Sequence, residues 1–419
     1  MRTIFLILLL TLQWIKPLYG QVRTLRIEEC YEAALQNYPL IKQKELLLQS
    51  NDYTIANARS GFLPQLTING QATYQSAVTE VPNQPFEPLT KDQYKIYGEV
   101  NQAIYDGGGI KRQASLLDMS NQVENQKLEI ELYKIRDRIN QLYFGILLIE
   151  AQLEQVSLLK RDLQSGIDET ESAIRNGVAL RSTGNVFRAE YLKAVQQTVE
   201  LESSRKAYLL MLGVFMNERL DEQFTDLLKP DVYILPEETQ ITRPELSLYR
   251  FQSELVGSQY MLNNVRNLPK LNLFLQGGYG KPGLNFLLNE FDLYYIGGVR
   301  LNWSLGGYYN QKRDRGLRDV NLQMINAQKE TFLFNTNLSV LQVKQEIEKI
   351  KSLIEIDREL IELRSSIKST SRFQQENGVI TEHDYLLDLH AEDQAKQNLL
   401  LHEVQLMMAY YNYKTLSGL

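Results

Sequence analysis

The chain has 419 residues, a formal net charge of −6 and a single cysteine. Its acidic balance lacks the basic footprint of a nucleic-acid-binding protein, and one cysteine can form neither an internal disulfide nor a cysteine-based zinc site. The mean hydropathy is −0.31, and no apolar run after residue 20 approaches 18 residues, so we expect no transmembrane helix in the mature chain.

The N-terminus has the pattern of a secretory signal. Arg2 precedes the apolar run 4–12, and the small residue Gly20 follows at a plausible cleavage position. We therefore predict a signal peptide over residues 1–20. A buried or anchoring helix is the alternative.

The next distinctive feature is a pair of strands. Residues 66–76 alternate apolar and polar side chains, which predicts a strand with one apolar and one polar face. The segment 80–92 contains three prolines and is typical of an exposed loop. Residues 93–105 alternate again, which predicts the returning strand.

Long helices follow. Gly107 and Gly108 end the second strand, and apolar residues then recur at three- and four-residue steps without a proline to about residue 176. A continuous helix of that length would span roughly 100 Å. Gly177 provides a stop, and a second helix is predicted from about residue 185 to residue 216. This closes a first repeat over residues 21–216 and leaves 217–242 as a connector.

The remainder, 243–419, repeats this order. Strands are predicted at about 271–279 and 293–303, and a long helical hairpin at about 311–414 with its turn at Gly378. The first helix of this hairpin is predicted over 311–376. Gly306 and Gly307 fall on Gly107 and Gly108 at a constant offset. We interpret both pairs as a bend between strand and helix, because neither has the lysine of a phosphate-binding loop.

Two-faced strands suit either a soluble sandwich or a membrane barrel. Their length of about ten residues and the aromatic residues near their ends favour an outer-membrane barrel. Four strands cannot close such a barrel, so two or three copies are required, and only twelve strands leave a water-filled lumen.

Four segments in this order and spacing resemble the TolC family of outer-membrane channels. They are the following: Thr24–Leu40 (TLRIEECYEAALQNYPL), Ala58–Pro64 (ARSGFLP), Tyr105–Gly108 (YDGG) and Arg243–Leu246 (RPEL). The resemblance covers residues 23 to 418. It implies a mainly helical protein with a small β part, two structural repeats, and a homotrimer with a 12-stranded outer-membrane barrel continuous with a 12-helix periplasmic barrel.

The resemblance also implies partners and an activity. The chain would be the passive outer-membrane exit duct of a tripartite efflux pump in a Gram-negative bacterium, with a periplasmic adaptor and an inner-membrane RND or ABC transporter. Type I protein secretion is the alternative within the family, and an exported coiled-coil scaffold is the alternative from another class. No catalytic arrangement stands out, so we predict neither an enzyme nor a cofactor or metal.

Two sets of site residues follow from the resemblance by position. The helical tips that contact the adaptor would include Gly177, Val178, Gly378, Val379 and Thr381, although plain helix caps explain these glycines equally well. Acidic residues just beyond the second turn would ring the closed pore. Asp384 matches the first of these positions. Leu387 occupies the second, and Asp388 stands next to it, one turn from Asp384. A solvated helix face is the alternative for both aspartates.

Overall fold

The computed structural model describes residues 23–79, 89–177, 181–220, 225–231, 236 and 240–419. The predicted signal peptide, 1–20, lies outside these residues. The described chain divides into two compact units, each assembled from separate stretches of sequence. We call Lys42–Ile130 with Pro244–Phe332 the sheet unit, and the remainder, which includes Glu131–Arg243 and Leu333–Leu419, the helical unit.

The described residues are mainly helical. The α-helices are α1 (Ile27–Asn37), α2 (Lys42–Arg59), α3 (Gly109–Tyr133), α4 (Ile135–Arg175), α5 (Arg181–Met216), α6 (Pro244–Val265), α7 (Gln311–Glu376) and α8 (Glu382–Ser417). The strands are β1 (Arg23–Leu25), β2 (Gln65–Tyr74), β3 (Asp92–Tyr105), β4 (Thr225–Leu227), β5 (Lys270–Lys281) and β6 (Asp292–Asn302). Short 3-10 turns lie at Pro39–Ile41, Ser60–Phe62 and Gly306–Tyr309.

The sheet unit contains a four-stranded antiparallel sheet in the order β2-β3-β5-β6. Its register places apolar residues in the same row: Leu66 pairs with Val100, and Val100 pairs with Leu275. The adjacent row pairs Thr67 with Glu99 and Glu99 with Gln276. Because side chains alternate along each strand, these two rows lie on opposite faces of the sheet.

The apolar face of the sheet is uncovered. Ile68 and Leu293 are each 76% exposed, and the other large apolar residues of this face are also exposed. They are Leu66, Tyr94, Ile96, Leu273, Leu275, Tyr279, Tyr295, Val299 and Leu301. Exposed apolar residues on an ordinary soluble surface are scattered, whereas these form one continuous face. The face therefore requires a nonaqueous partner.

The helical unit is held by apolar seams between long helices. One buried cluster joins α4, α5 and α8 around Val156, Leu163 and Phe187. A second joins α7 and α8 around Ile347 and Tyr413. The seam predicted along the first long helix is largely buried, including Leu132, Ile139, Ile146 and Val156, as expected when residues at three- and four-residue steps face a neighbouring helix.

One helical stretch, within Gly109–Arg175, is long and apolar enough to pass a compositional test for a membrane span. Half of its apolar window is buried inside the protein. Residues of α4 such as Tyr143 and Phe144 belong to the helical core. The Tyr143 hydroxyl lies 2.8 Å from the Leu25 carbonyl oxygen and 2.7 Å from that of Leu228, next to the parallel β1–β4 pair.

Gly166 has no space for a larger side chain. A Cβ at this position would lie 2.5 Å from Cε1 of the buried Phe187 ring. We expect Gly166→Val to destabilise the protein by about 1–3 kcal/mol, the usual cost of overpacking a core. The thermal midpoint of the purified protein in detergent measures the loss. Gly316→Ala in α7, where an added Cβ meets no atom within 4 Å, should leave the midpoint unchanged or higher.

Candidate functional site

The first group of predicted site residues forms the bend between β3 and α3. Gly107 and Gly108 have φ values of +71° and +81°, a conformation that glycine adopts without a steric penalty. Asp106 stabilises the start of α3, because its carboxylate accepts hydrogen bonds from the backbone N–H of Gly108 at 2.9 Å and of Ile110 at 2.6 Å. The aspartate of this motif is therefore a helix cap.

The second bend, at Gly306 and Gly307, is braced differently. The backbone oxygen of Asn267 accepts hydrogen bonds from Nε1 of Trp303 at 3.0 Å and from the Tyr308 hydroxyl at 3.2 Å. Gly307 packs directly against the Asn267 side chain, leaving no room for a Cβ. Trp303 and Asn267 thus position the turn from β6 toward α7, a role that the sequence pattern did not reveal.

The polar face of the sheet carries a charged cluster. Glu99 on β3 accepts a hydrogen bond from Asn101 Nδ2 at 2.6 Å and pairs with Arg300 on β6 at 3.4 Å. The Arg300 guanidinium lies 4.5 Å from the centroid of the Phe274 ring, a favourable cation–π distance. Polar side chains and this ion pair suit a water-filled space rather than lipid.

The predicted tips are helix ends. Gly378 has φ +70°, and the carbonyl of Gln374 accepts a hydrogen bond from the N–H of Val379 at 2.8 Å. The N–H of Gly378 donates to the Gln375 carbonyl at 3.0 Å, which completes a Schellman cap at the end of α7. Val379 is 70% exposed, so this tip presents an apolar side chain to its surroundings.

The first tip has the same backbone feature. Gly177 has φ +74°, and its N–H donates to the Ile174 carbonyl at 3.1 Å. An added Cβ at Gly177 or Gly378 meets no atom within 4 Å, so the backbone angle, not a lack of space, is what favours glycine there. Val178 lies outside the described residues.

Asp384 and Thr381 form a capping box at the start of α8. The Asp384 carboxylate accepts from the Thr381 hydroxyl at 2.6 Å and from the Thr381 backbone N–H at 3.1 Å. These hydrogen bonds, the side-chain one first, lower the pKa of Asp384. Its stabilising contribution is therefore present above the unfolded pKa and is lost only as the pH falls through the lower folded value.

Asp388 lies one turn further along α8 and is only partly exposed. Its carboxylate accepts a hydrogen bond from the hydroxyl of the buried Ser371 on α7. Asp388 thus joins the two helices of one hairpin, whereas Asp384 remains exposed. The two predicted pore residues therefore have different surroundings, because only Asp384 is fully exposed to solvent.

Ion pairs near the tips connect helices that are distant in sequence. Arg372 of α7 pairs with Glu169 of α4 at 2.6 Å and with Glu376 at 3.0 Å. Lys368 of α7 pairs with Asp162 of α4 at 2.9 Å and with the buried Glu392 of α8 at 2.7 Å.

Glu392 is held as a carboxylate inside this group. Burial alone would raise its pKa, but hydrogen bonds from Lys368 and Lys396 more than offset burial and hold the pKa below its usual range. Removing one partner of a buried charged group leaves it uncompensated. This network fastens α4, α7 and α8 together where the hairpins end.

Residues 30–215 match the model of the outer membrane efflux protein family. Over this segment, which is a little less than half of the chain, the sequence is similar to outer membrane efflux proteins. Members of this family are channels of the outer membrane and not enzymes. No curated protein matches the chain.

Several solved structures have the same fold as this chain. CusC, a protein that forms a transmembrane channel, has a TM-score of 0.69 at 12% identity over 93% of this chain and 91% of its own. VceC, an outer membrane protein of Vibrio cholerae, has a TM-score of 0.65 at 15% identity over 94% and 96%. The open-state outer membrane channel MtrE of Neisseria gonorrhoeae has a TM-score of 0.64 at 13% identity over 94% and 89%.

Proposed function

We propose that this chain is an outer membrane efflux protein and acts as a passive exit duct, in which three copies close one barrel and their long helices line a periplasmic conduit. The proposal rests on the two faces and the two outer strands of the four-stranded sheet. Its apolar face is exposed, its opposite face is polar with the Glu99–Arg300 pair, and its outer strands β2 and β6 pair on one side only within the described chain.

Unpaired sheet edges are costly in lipid, because no water is present to satisfy their backbone groups. Additional copies remove these edges by pairing β6 of one copy with β2 of the next. Two copies would give eight strands, whose interior is filled by side chains, whereas three give twelve and a lumen wide enough for solutes. A conduit therefore favours a trimer.

The long helix α7 supports the same assembly. Exposed apolar side chains lie along it in three groups, and within each group they recur at three- and four-residue steps, the spacing of a seam that packs on another helix. They are Leu317, Val320, Met324, Phe334, Leu338, Leu341, Ile356, Leu360, Leu363 and Ile367. Neighbouring copies would cover this seam and remove it from water.

Single-channel current through the purified protein tests the proposed duct. Protein extracted from the outer membrane and inserted into planar bilayers is expected to give steady single-channel currents without any nucleotide. A scaffold that lacks a lumen would give none. The currents are expected to be small when the tips are fastened by the Arg372 and Lys368 ion pairs.

Asp384 provides a sharper test of where the conduit is narrowest. Three copies of an exposed carboxylate around a narrow lumen would favour cations. We expect Asp384→Asn to lower the cation preference and raise the conductance, because asparagine removes the charge yet can still accept the Thr381 hydrogen bonds. Since the pKa of Asp384 is lowered, the wild-type preference should stay constant around neutral pH.

The matched control is Thr381→Ala, which removes the capping hydroxyl and keeps the carboxylate. It should leave ion selectivity close to that of the wild type. If both variants change selectivity equally, the effect comes from the cap and Asp384 is not a gate residue. If neither variant changes it, the constriction lies elsewhere.

We propose an efflux pump as the setting, with a periplasmic adaptor at the exposed tips around Val379 and an inner-membrane RND or ABC transporter as the energy source. Type I protein secretion uses the same kind of duct. A deletion strain separates the two settings. Increased sensitivity to small toxic compounds supports efflux, and loss of a protein from the culture medium supports secretion.

A further inference from the structure

The loop that joins β5 to β6 has an unusual composition for the end of a barrel hairpin. Residues 282–291 read PGLNFLLNEF, with one charged residue. Five large apolar side chains of this loop are exposed, with Phe286 the most exposed at 64%. The others are Leu284, Leu287, Leu288 and Phe291. Exposed apolar clusters of this kind mark an interaction surface rather than a water-facing loop.

Contacts at the base of the loop show which face of the sheet it joins. The Phe291 ring stacks on Tyr279 with centroids 5.3 Å apart and on Tyr94 at 6.4 Å. Tyr94 and Tyr279 lie in the register rows of the apolar face. The loop therefore continues the apolar face of the sheet and not the polar face that carries Arg300.

The same corner has a cation. Lys281 pairs in register with Tyr94, so its side chain also starts from the apolar face, and its Nζ lies 6.0 Å from the centroid of the Phe291 ring. Aromatic rings with a lysine at the end of a lipid-facing strand suit the headgroup region, where a long side chain can reach anionic phosphates while its stem stays in apolar surroundings.

The loop is also fastened in place. The Asn289 side chain accepts hydrogen bonds from the backbone N–H and the hydroxyl of Thr90, both at 3.2 Å. Thr90 precedes β3, so the contact joins the ends of the two hairpins. Because the loop is held at its base on the apolar side of the sheet, Phe286, Leu287 and Leu288 avoid water most favourably by entering the lipid.

We propose that the β5–β6 loop is embedded in the outer leaflet, with Phe286, Leu287 and Leu288 among the acyl chains and Lys281 at the headgroup phosphates. This inference rests on the proposed barrel, since it takes the apolar face of the sheet to be the lipid face. Each copy of the chain would thus carry a membrane-inserted segment at the rim, beside the strands that span the bilayer.

A fluorophore on the loop tests the inference. The only cysteine, Cys30, is buried, and burial raises the pKa of its thiol to about 12, so an introduced cysteine can be labelled selectively. Leu287→Cys, labelled with a polarity-sensitive dye, is reconstituted in phosphatidylcholine vesicles with or without brominated acyl chains. We expect a blue-shifted emission that brominated lipid quenches strongly and aqueous iodide quenches little.

Two matched variants make the outcomes distinguishable. Leu293→Cys lies on the apolar face of β6, and Ser76→Cys lies exposed beyond the end of β2; the first should be quenched by brominated lipid and the second by iodide. If Leu293→Cys is lipid-quenched but Leu287→Cys is quenched by iodide, the loop is not embedded and the barrel stands. If neither is lipid-quenched, the barrel itself is contradicted.

Discussion

Leu275→Arg is expected to remove most of the assembled protein from the outer membrane. Leu275 lies in the middle of β5, between Val100 of β3 and Gly297 of β6, on the exposed apolar face. An arginine near the bilayer midplane costs about 2–4 kcal/mol in a transmembrane barrel. The cost would recur in each of three copies.

The neighbouring residue supplies the control. Gln276 lies on the polar face, in register with Glu99, and its amide contacts the Tyr294 hydroxyl at 3.3 Å. Gln276→Arg would place a cation beside a carboxylate in aqueous surroundings, so its assembly should be near the wild-type level. The measurement is the amount of heat-modifiable oligomer in the outer-membrane fraction. Normal assembly of Leu275→Arg together with loss of Gln276→Arg would show that we have assigned the two faces in reverse.

Gly107→Val is expected to be the most damaging change at the bends. Valine is a β-branched residue and adopts a positive φ only with strain, which costs on the order of 1–3 kcal/mol. Its Cβ would also lie 2.8 Å from Cβ of Leu268, and relieving that contact costs a similar amount again. Together these effects should prevent the correct turn from β3 into α3.

Gly306→Ala is the matched control, because Gly306 has no positive φ and an added Cβ there meets no atom within 4 Å. The thermal midpoint in detergent and the yield of folded protein compare the two variants. Equal stability of the two would mean that the left-handed turn at Gly107 is not required for the fold.

Periodicity identified the regular elements well. The predicted helix 311–376 has the same bounds as α7, and strands lie at Gln65–Tyr74 and Asp92–Tyr105 where alternation indicated them. Side-chain alternation and helical spacing are local signals, and each of these segments carries one along its whole length. The paired apolar and polar faces of the sheet follow from the same pattern.

Local sequence signals did not predict where the long helices are interrupted or where they begin. The first long helix is interrupted at Lys134, between α3 and α4, although no glycine or proline marks the position. The second helix of the first hairpin begins at Arg181, not near residue 185. Gly184 lies within the first turns of α5, where its missing side chain makes room for Ile174.

In the candidate site, too, local features could be seen in the sequence and long-range contacts could not. Thr381 and Asp384 have the spacing of a capping box, which a sequence can display, and the structure adds that Asp384 is exposed. The partners of Arg372 and Lys368 on α4 are about 200 residues away in the chain. No sequence spacing could identify those pairs, because they depend on how three helices pack.

The number of chains in the complex tests the central claim most directly. Native mass spectrometry of the complex, released from detergent after extraction from outer membranes, is expected to give three copies of the processed chain in a single closed species. Three chains supply the twelve strands that a solute-conducting lumen requires. A complex of one or two chains, or an open-ended series of oligomers, would contradict the proposed duct.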